Sequence, residues 1–459
     1  MRSLLRSRRG SVAFATVIAL IPLIGVVALG GEAGSWYVTR QHAQNAADAA
    51  AVSGAMQQLC LLNAPCAVTQ TVDYRGKQSA AQNAFCNGGA TSYPGSVCSA
   101  SLPTGISQTV TIASLASWNG TAGTFVQATV SQQQPAYLAQ VLGLSTVNIG
   151  ATAVATVKSV TYPPCVLSLT GSISFQGSPN INAPNCGMAS NDTAANAINF
   201  TGGGMTMNLG SLSTVGGCTG TASFCNTALK YLPAPTVNPF SDLDGALTTL
   251  CGANPTLPAT CGLPPCPKTG LLVAYSPTPA TNKCTNDGFK ISGNQQDPLA
   301  PGVYFISGTL KMTGTTSIFN DPTNPAGTGV TLILLPGATI DTKGGGTITI
   351  QAPTTAPNTS SFPTALQAQA SLFQGMAIYD ASAADVTFGG NSNINLKGNI
   401  YAPTAAVTFQ GNPTMSFSGG QCGQLIAKSV SFNGNATFDT TGCPTQTKVP
   451  KSQYVQLVQ

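Results

Sequence analysis

The sequence has one glutamate, one histidine and two tryptophans among 459 residues, and only 7% of its residues are charged. A soluble domain usually carries about 25%. Each shortage excludes something. The single histidine, His42, lies far in sequence from any cysteine cluster, and no Cys-x-x-Cys occurs. Cys261-x4-Cys266 is too weak a pattern for zinc, so neither metal nor cofactor is expected. Four of the positive charges are Arg2, Arg6, Arg8 and Arg9. Residues 10–459 carry 14 basic and 13 acidic groups, a net +1, and so have no basic footprint for nucleic acid.

Between residues 165 and 443 there is no glutamate, histidine or arginine. The acids there are Asp192, Asp242, Asp244, Asp287, Asp297, Asp321, Asp341, Asp380, Asp385 and Asp439. Glycan-cleaving chemistry needs carboxylates set against each other, or acidic metal ligands with a basic partner. Asp242 and Asp244 are neighbours, and Asp380 and Asp385 flank one turn; otherwise the aspartates read as solvated turn residues. No catalytic residue is expected, and the chain is read as a non-enzyme. Lys343-Gly344-Gly345-Gly346 lacks the strand–loop–helix setting of a phosphate loop and reads as a tight turn.

What is abundant points elsewhere. Fifty glycines with many threonines, serines and asparagines suit a β-rich chain that is polar without being charged. Residues 10–31 are 22 uncharged residues, mostly Val, Ile, Leu and Ala, between Arg9 and Glu32. At about 1.5 Å per residue such a helix spans a hydrocarbon core of about 30 Å. Arginines crowd its N-terminal side, which sets residues 1–9 as a cytoplasmic tail under the positive-inside rule. Trp36 and Tyr37 sit where an aromatic belt belongs. A cleaved secretory signal has similar ingredients, but its apolar core is usually about 7–15 residues and no clean small-residue cleavage site follows here. The expectation is a single-pass inner-membrane anchor with the bulk of the chain periplasmic or extracellular. All 14 cysteines lie beyond the span, an even number in an oxidising compartment, and read as disulfides.

The alanine-rich run that follows is helical. Ala43, Ala47, Ala50 and Gly54 share one face, small enough to pack closely on a sheet of the same chain or on a partner helix. Cys60 and Cys66 bracket a turn, and Cys86 and Cys98 bracket a loop. Strand patterns follow at 106–112, 124–130 and 147–157, with a short helix at 135–144.

Arg8-Arg9-Gly10, the apolar span, Trp36-Tyr37 and above all Gln44-Asn45-Ala46-Ala47-Asp48-Ala49-Ala50-Ala51 closely resemble the N-terminal segment of the TadE/TadG-like Flp pilus-assembly proteins. PAYLAQVLGLSTVNIGATAVATV at 135–157 extends the resemblance to about residue 158. It implies a pilin-like α+β domain over 32–158, a role in tight-adherence pilus biogenesis or adhesion, and other pilus-assembly proteins as partners. A processed prepilin has glutamate five residues after its cleavage glycine; counted from Gly10 that position is Ala15, so the TadG type fits better. Some relatives carry a metal-binding Asp-x-Ser-x-Ser module, which Asp380-Ala-Ser-Ala-Ala does not match. Glu32, at the end of the span, reads as a solvated charge at headgroup level.

Residues 159–443 hold a repeat. Gly375-MAIYDASAADVTFGG, Gly398-NIYAPTAAVTFQGN and Gly423-QLIAKSVSFNGN share one template, with Phe388, Phe409 and Phe432 spaced 21 and 23 apart. Ser174-Phe175-Gln176-Gly177 repeats the phrase. A period of about 20–25 with short strands and Gly-Asn turns predicts a right-handed parallel β-helix. A jelly-roll β-sandwich is the alternative; leucine-rich repeats lack their leucines here. Cys165–Cys186 and Cys422–Cys443 are each 21 apart and are expected to bridge adjacent coils near the two ends of the stack. Cys218–Cys225 suits a local loop. A Cys/Pro-rich insertion at 232–298, holding Cys251, Cys261, Cys266 and Cys284, is expected outside the coils, with a second loop at 353–370 and a tail at 444–459. A surface adhesin that binds glycans is the second functional expectation.

Overall fold

The computed structural model describes residues 8–62, 69–87, 90–99, 101–220, 222–227, 229–247, 273–275, 289–291, 293–306, 308–323, 329–356, 364–418, 423–442 and 448–458. The chain divides into two compact units, one of residues 1–158 with 455–459 and one of 159–454.

The first unit is organised by a 55-residue helix, α1 (Arg8–Leu62). Ile18, Leu20, Leu23, Ile24, Val26 and Val27 of α1 expose their side chains, and the helix is long and apolar enough to cross a membrane. Its second half turns alanine inward. A shorter helix, α2 (Val72–Gln82), starts where the Thr71 side chain accepts the Tyr74 N–H. Three antiparallel strands follow: β1 (Ser107–Trp118), β2 (Thr121–Pro135) and β3 (Thr146–Ser159). Asn119 and Gly120 join β1 to β2, both at positive φ, as a two-residue hairpin turn requires. The C-terminal strand Gln453–Leu457 completes this sheet beside β3. The core sets Ala43, Ala47 and Ala50 of α1 against Val126, Val130 and Ala153 of the sheet.

The second unit is a 23-stranded sheet in which successive strands wind through three columns. One coil shows the pattern: Met376–Asp380 lies in the first column, Val386–Gly390 in the second and Asn393–Lys397 in the third. Each strand pairs in parallel with its counterpart one coil on. Among the described residues the one antiparallel pairing in this unit joins Val273–Tyr275 to Gly302–Ile306. The first-column strands are buried on both faces, as in MAIYD and VTLIL, because apolar side chains lie on either side of them. Ile378, Ile400 and Leu425 point into the main core, while Tyr379, Tyr401 and Ile426 enter a second core.

The order of the coils departs from the order of the sequence. The coil that begins at Leu425 pairs on one side with Asn399–Gly411 and on the other with Pro164–Ser168 and Ile173–Gly177. Thr437–Gly442 likewise pairs with Asn180–Ser190. The first coil in sequence is therefore an interior one, stacked on the last. From it the chain winds away to Leu229–Tyr231; the strands from Val273 onward then wind back towards it. The phenylalanine column follows the spatial order, not the sequence: Phe388, Phe409, Phe432, Phe175 and Phe200 stack with ring centroids 5.5, 5.0, 5.4 and 4.9 Å apart. Phe224 covers Phe200 at 5.1 Å, next to the Cys218–Cys225 disulfide.

Several boundaries move. Cys165 and Cys186 bridge adjacent coils, Cα atoms 5.6 Å apart, but those coils lie inside the stack, not near its end. Cys86–Cys98 is also bonded. Cys422–Cys443, Cys66, Cys251, Cys261, Cys266 and Cys284 lie outside the described residues. The expected insertion 232–298 contains strands at 273–275 and 289–291 and most of one at 296–299, and the expected tail contains the strand at 453–457. Residues 135–144 yield only a 3-10 turn, Ala139–Leu142. Lys343–Gly346 is the tight turn expected, with Gly345 and Gly346 at φ 100° and 111°.

Candidate functional site

In the first unit the site is one face of α1 and what it holds. Ala43, Ala46, Ala47, Ala50, Ala51 and Ala55 are fully buried, so the small-residue face packs on its own sheet. A Cβ built on Gly54 would lie 2.8 Å from Val126 Cγ1, which shows how close helix and sheet run there. Gly76 of α2 makes the same approach to Ile112 at 2.7 Å. Gln44 Nε2 donates to Asp48 Oδ1 at 2.7 Å, four residues along the helix, which accounts for two polar members of the Gln-Asn-Ala-Ala-Asp run.

Glu32 does more than the sequence suggests. Its carboxylate accepts the backbone N–H groups of Tyr137 (2.6 Å), Leu138 (3.1 Å) and Ala139 (2.8 Å). The expected solvated charge is thus an anchor for the loop between β2 and β3. Trp36 lines the cleft beside it, and its indole Nε1 is buried without a partner. Tyr37 is exposed.

In the second unit most aspartates serve turns. The Oδ1 atoms of Asp192, Asp321, Asp341 and Asp439 each accept the N–H two residues on, from Ala194, Thr323, Lys343 and Thr441. Asp385 accepts the Ala406 N–H of the next coil. Asp380 makes the same local bond to Ser382 but is fully buried, which corrects its reading as solvated. Burial pushes its carboxyl well above the usual carboxylate range, and its Oδ2 has no partner. Asp244 accepts the Tyr401 hydroxyl, while Tyr401 accepts Asn238 Nδ2 at 2.8 Å. Burial raises the Asp244 carboxyl, and the Tyr401 bond opposes that rise. Tyr379 donates to the Leu243 carbonyl at 2.7 Å. These groups tie segment 238–247 across the first column of strands.

The outer surface of the third column has a different chemistry. Thr347, Asn393, Thr414, Thr437, Asn180 and Thr206 stand in register on successive coils. Asn435, Asn412 and Asn391 form an amide ladder at the neighbouring turn, each bond 3.2 Å.

No curated protein and no solved structure matches the chain. Residues 10–57 match the family described as putative Flp pilus-assembly TadE/G-like. That segment holds both the apolar run and the buried alanine face of α1, so the chain carries a TadE/G-like Flp pilus-assembly domain at its membrane-compatible helix.

Proposed function

We propose that the chain is a non-catalytic, single-pass component of a Flp-type pilus-assembly apparatus, mounted in the inner membrane with its N-terminus cytoplasmic. The match over residues 10–57 carries this reading. The arginine tail supplies the orientation, and three disulfides among described residues suit a periplasmic or extracellular compartment. The second unit is read as a parallel β-helix that serves as scaffold. Coil-by-coil parallel pairing and the phenylalanine column support that reading over a jelly roll, in which strands run antiparallel. The non-catalytic reading is supported by what described acids do: Asp192, Asp321, Asp341, Asp380 and Asp439 close turns, and Asp244 straps a segment down.

Co-purification from membranes through a C-terminal tag tests the proposal. Recovery of pilus-assembly proteins with the chain is the expected result; recovery of the chain alone from the medium would overturn it.

A second reading, a glycan-binding adhesin, is favoured by one observation. The third column presents consecutive threonine and asparagine side chains, uncharged and in register, a surface suited to hydroxyl-rich polymers. Normal pili with lost attachment after deletion of residues 165–459 would favour it.

A further inference from the structure

The loop between β2 and β3 has a composition and a bonding pattern that its place in a soluble sheet does not require. Residues 134–145 carry no charge. Three of the loop's apolar or aromatic side chains face outward: Tyr137 is 74% exposed, Leu138 43% and Leu144 49%. Six of its backbone donors, by contrast, are bonded within the protein. The N–H of Ala136 bonds to the Ser145 carbonyl, those of Gly143 and Leu144 to Gln140 and Ala139, and those of 137–139 to Glu32. A loop in water has no need to satisfy its donors internally. A loop at the edge of a bilayer does, because unsatisfied backbone groups are costly where water is scarce.

Its location supplies the second half of the argument. Glu32 is the first charge after the apolar run of α1, and the side chains of Leu23, Ile24, Val26 and Val27 just before it are exposed. Trp36 and Tyr37 lie one turn further on, at the level where aromatic side chains favour the membrane interface. Glu32 therefore holds the loop at the depth where the helix leaves the hydrocarbon. A cleft of about 430 Å³ lies beside this contact, lined by Ala28, Gly31, Trp36, Ile106, Pro135 and Leu138.

We propose that residues 135–144 are a second membrane contact, an interfacial loop that seats Tyr137, Leu138 and Leu144 among lipid headgroups and upper acyl chains, held there by Glu32. The occupant is the lipid surface itself, because the loop continues the exposed apolar surface of α1. A single helix leaves the domain free to rotate and tilt; a second contact restricts both. The inference rests on the membrane-anchored reading of α1.

The full chain, reconstituted in bilayers of brominated lipid, provides the test. Both native tryptophans, Trp36 and Trp118, are replaced by phenylalanine, and Leu138→Trp or Leu23→Trp is introduced singly. The L138W indole should be quenched about twofold more strongly by bromine near the headgroup than near the chain ends, as an interfacial depth requires. The L23W indole should show the reverse order. Quenching of L23W with none of L138W overturns the inference and leaves the anchored reading standing. No quenching of L23W overturns both. An L138W indole untouched by lipid bromine, but shielded from aqueous acrylamide by a second copy of the chain, would make the loop a protein contact and also overturn the proposal. Adding Glu32→Ala should lower L138W quenching about twofold with L23W unchanged, since a released loop loses its depth. Unchanged L138W quenching would remove Glu32 from the argument.

Discussion

Phe432 stacks on Phe175 with ring centroids 5.4 Å apart, and the neighbouring Ser174 and Ser431 share a 2.8 Å hydrogen bond across 257 residues of chain. The pair joins the last coil to the first, so the stack is closed in its middle by residues from its two sequence ends. Neither half presents a finished surface at that seam alone: Val166, Ile173 and Phe175 on one side need Leu425, Val430 and Phe432 on the other.

Loss of the seam should therefore damage both halves. Phe432→Ala removes the ring that lies between Phe409 and Phe175, and should cost about 3–5 kcal/mol. Phe175→Ala should cost a similar amount, and the double variant less than the sum, because the two rings share one contact. Denaturant unfolding of the full chain in detergent checks this; strict additivity would refute the coupling. Limited proteolysis gives an independent readout. Removal of residues 424–459 should expose cleavage sites within 164–231, not only near the new C-terminus.

Much of this fold is legible in the residues, and the missing part has a physical cause. The alanine face of α1 can be read because helical spacing alone puts Ala43, Ala47, Ala50 and Gly54 together. The coil length can be read because Phe388, Phe409 and Phe432 recur at 21 and 23. Coil order cannot be read, since a period gives the size of a coil and not its neighbour. The phrase around Phe175 matches the template, but only pairing with Leu425–Gly434 shows which coil it follows. Glu32 is similarly opaque, because its partners lie 105–107 residues away. Asp380 looks like any turn aspartate; Asp439 and Asp341 make the same local bond in the open. Its burial comes from elements that pack over it.

The turn glycines carry a further prediction. Gly390, Gly411, Gly434 and Gly177 stand in register on four adjacent coils, with φ of 62°, 92°, 76° and 85°. A Cβ on Gly434 would lie 2.6 Å from the Gly411 carbonyl oxygen, so the backbones of adjacent turns nearly touch. Gly434→Ala should cost about 1–3 kcal/mol from strained φ alone, and more from the contact. Gly337, also at positive φ (87°) but with open space where a Cβ would sit, should tolerate alanine better. Equal losses of thermal stability in the two variants would show that crowding between coils contributes nothing.

The strap over the first column should depend on its phenols. Tyr401 binds Asp244 and Asn238, and Tyr379 binds the Leu243 carbonyl. Tyr401→Phe leaves the ring packed against Phe240 but strips Asp244 of its donor inside a partly desolvated site. A loss of about 0.5–1.5 kcal/mol is expected, the net worth of one hydrogen bond, because water can reach the Asp244 carboxylate in place of the phenol. Hydrogen exchange should rise first in residues 238–247. Unaltered exchange there would mean that apolar packing of Phe240, Leu243 and Leu247 holds the strap without the phenols.

Asp380 makes stability depend on pH in a definite direction. Burial raises its carboxyl well above the ordinary value, so the folded chain holds a proton there that the unfolded chain has released. Through that window the native state binds more protons, and stability must fall as pH rises. The contribution is intact below the unfolded value of about 3.9 and is lost as pH climbs through the raised folded value. Asp380→Asn keeps an oxygen for the Ser382 N–H and cannot ionise. The variant should match the natural chain near the acidic end of this window and become the more stable of the two towards neutral pH. Melting temperatures measured for both proteins across that range decide the matter. Parallel curves would show that Asp380 remains charged in the fold, with water or an unrecognised cation reaching its second oxygen.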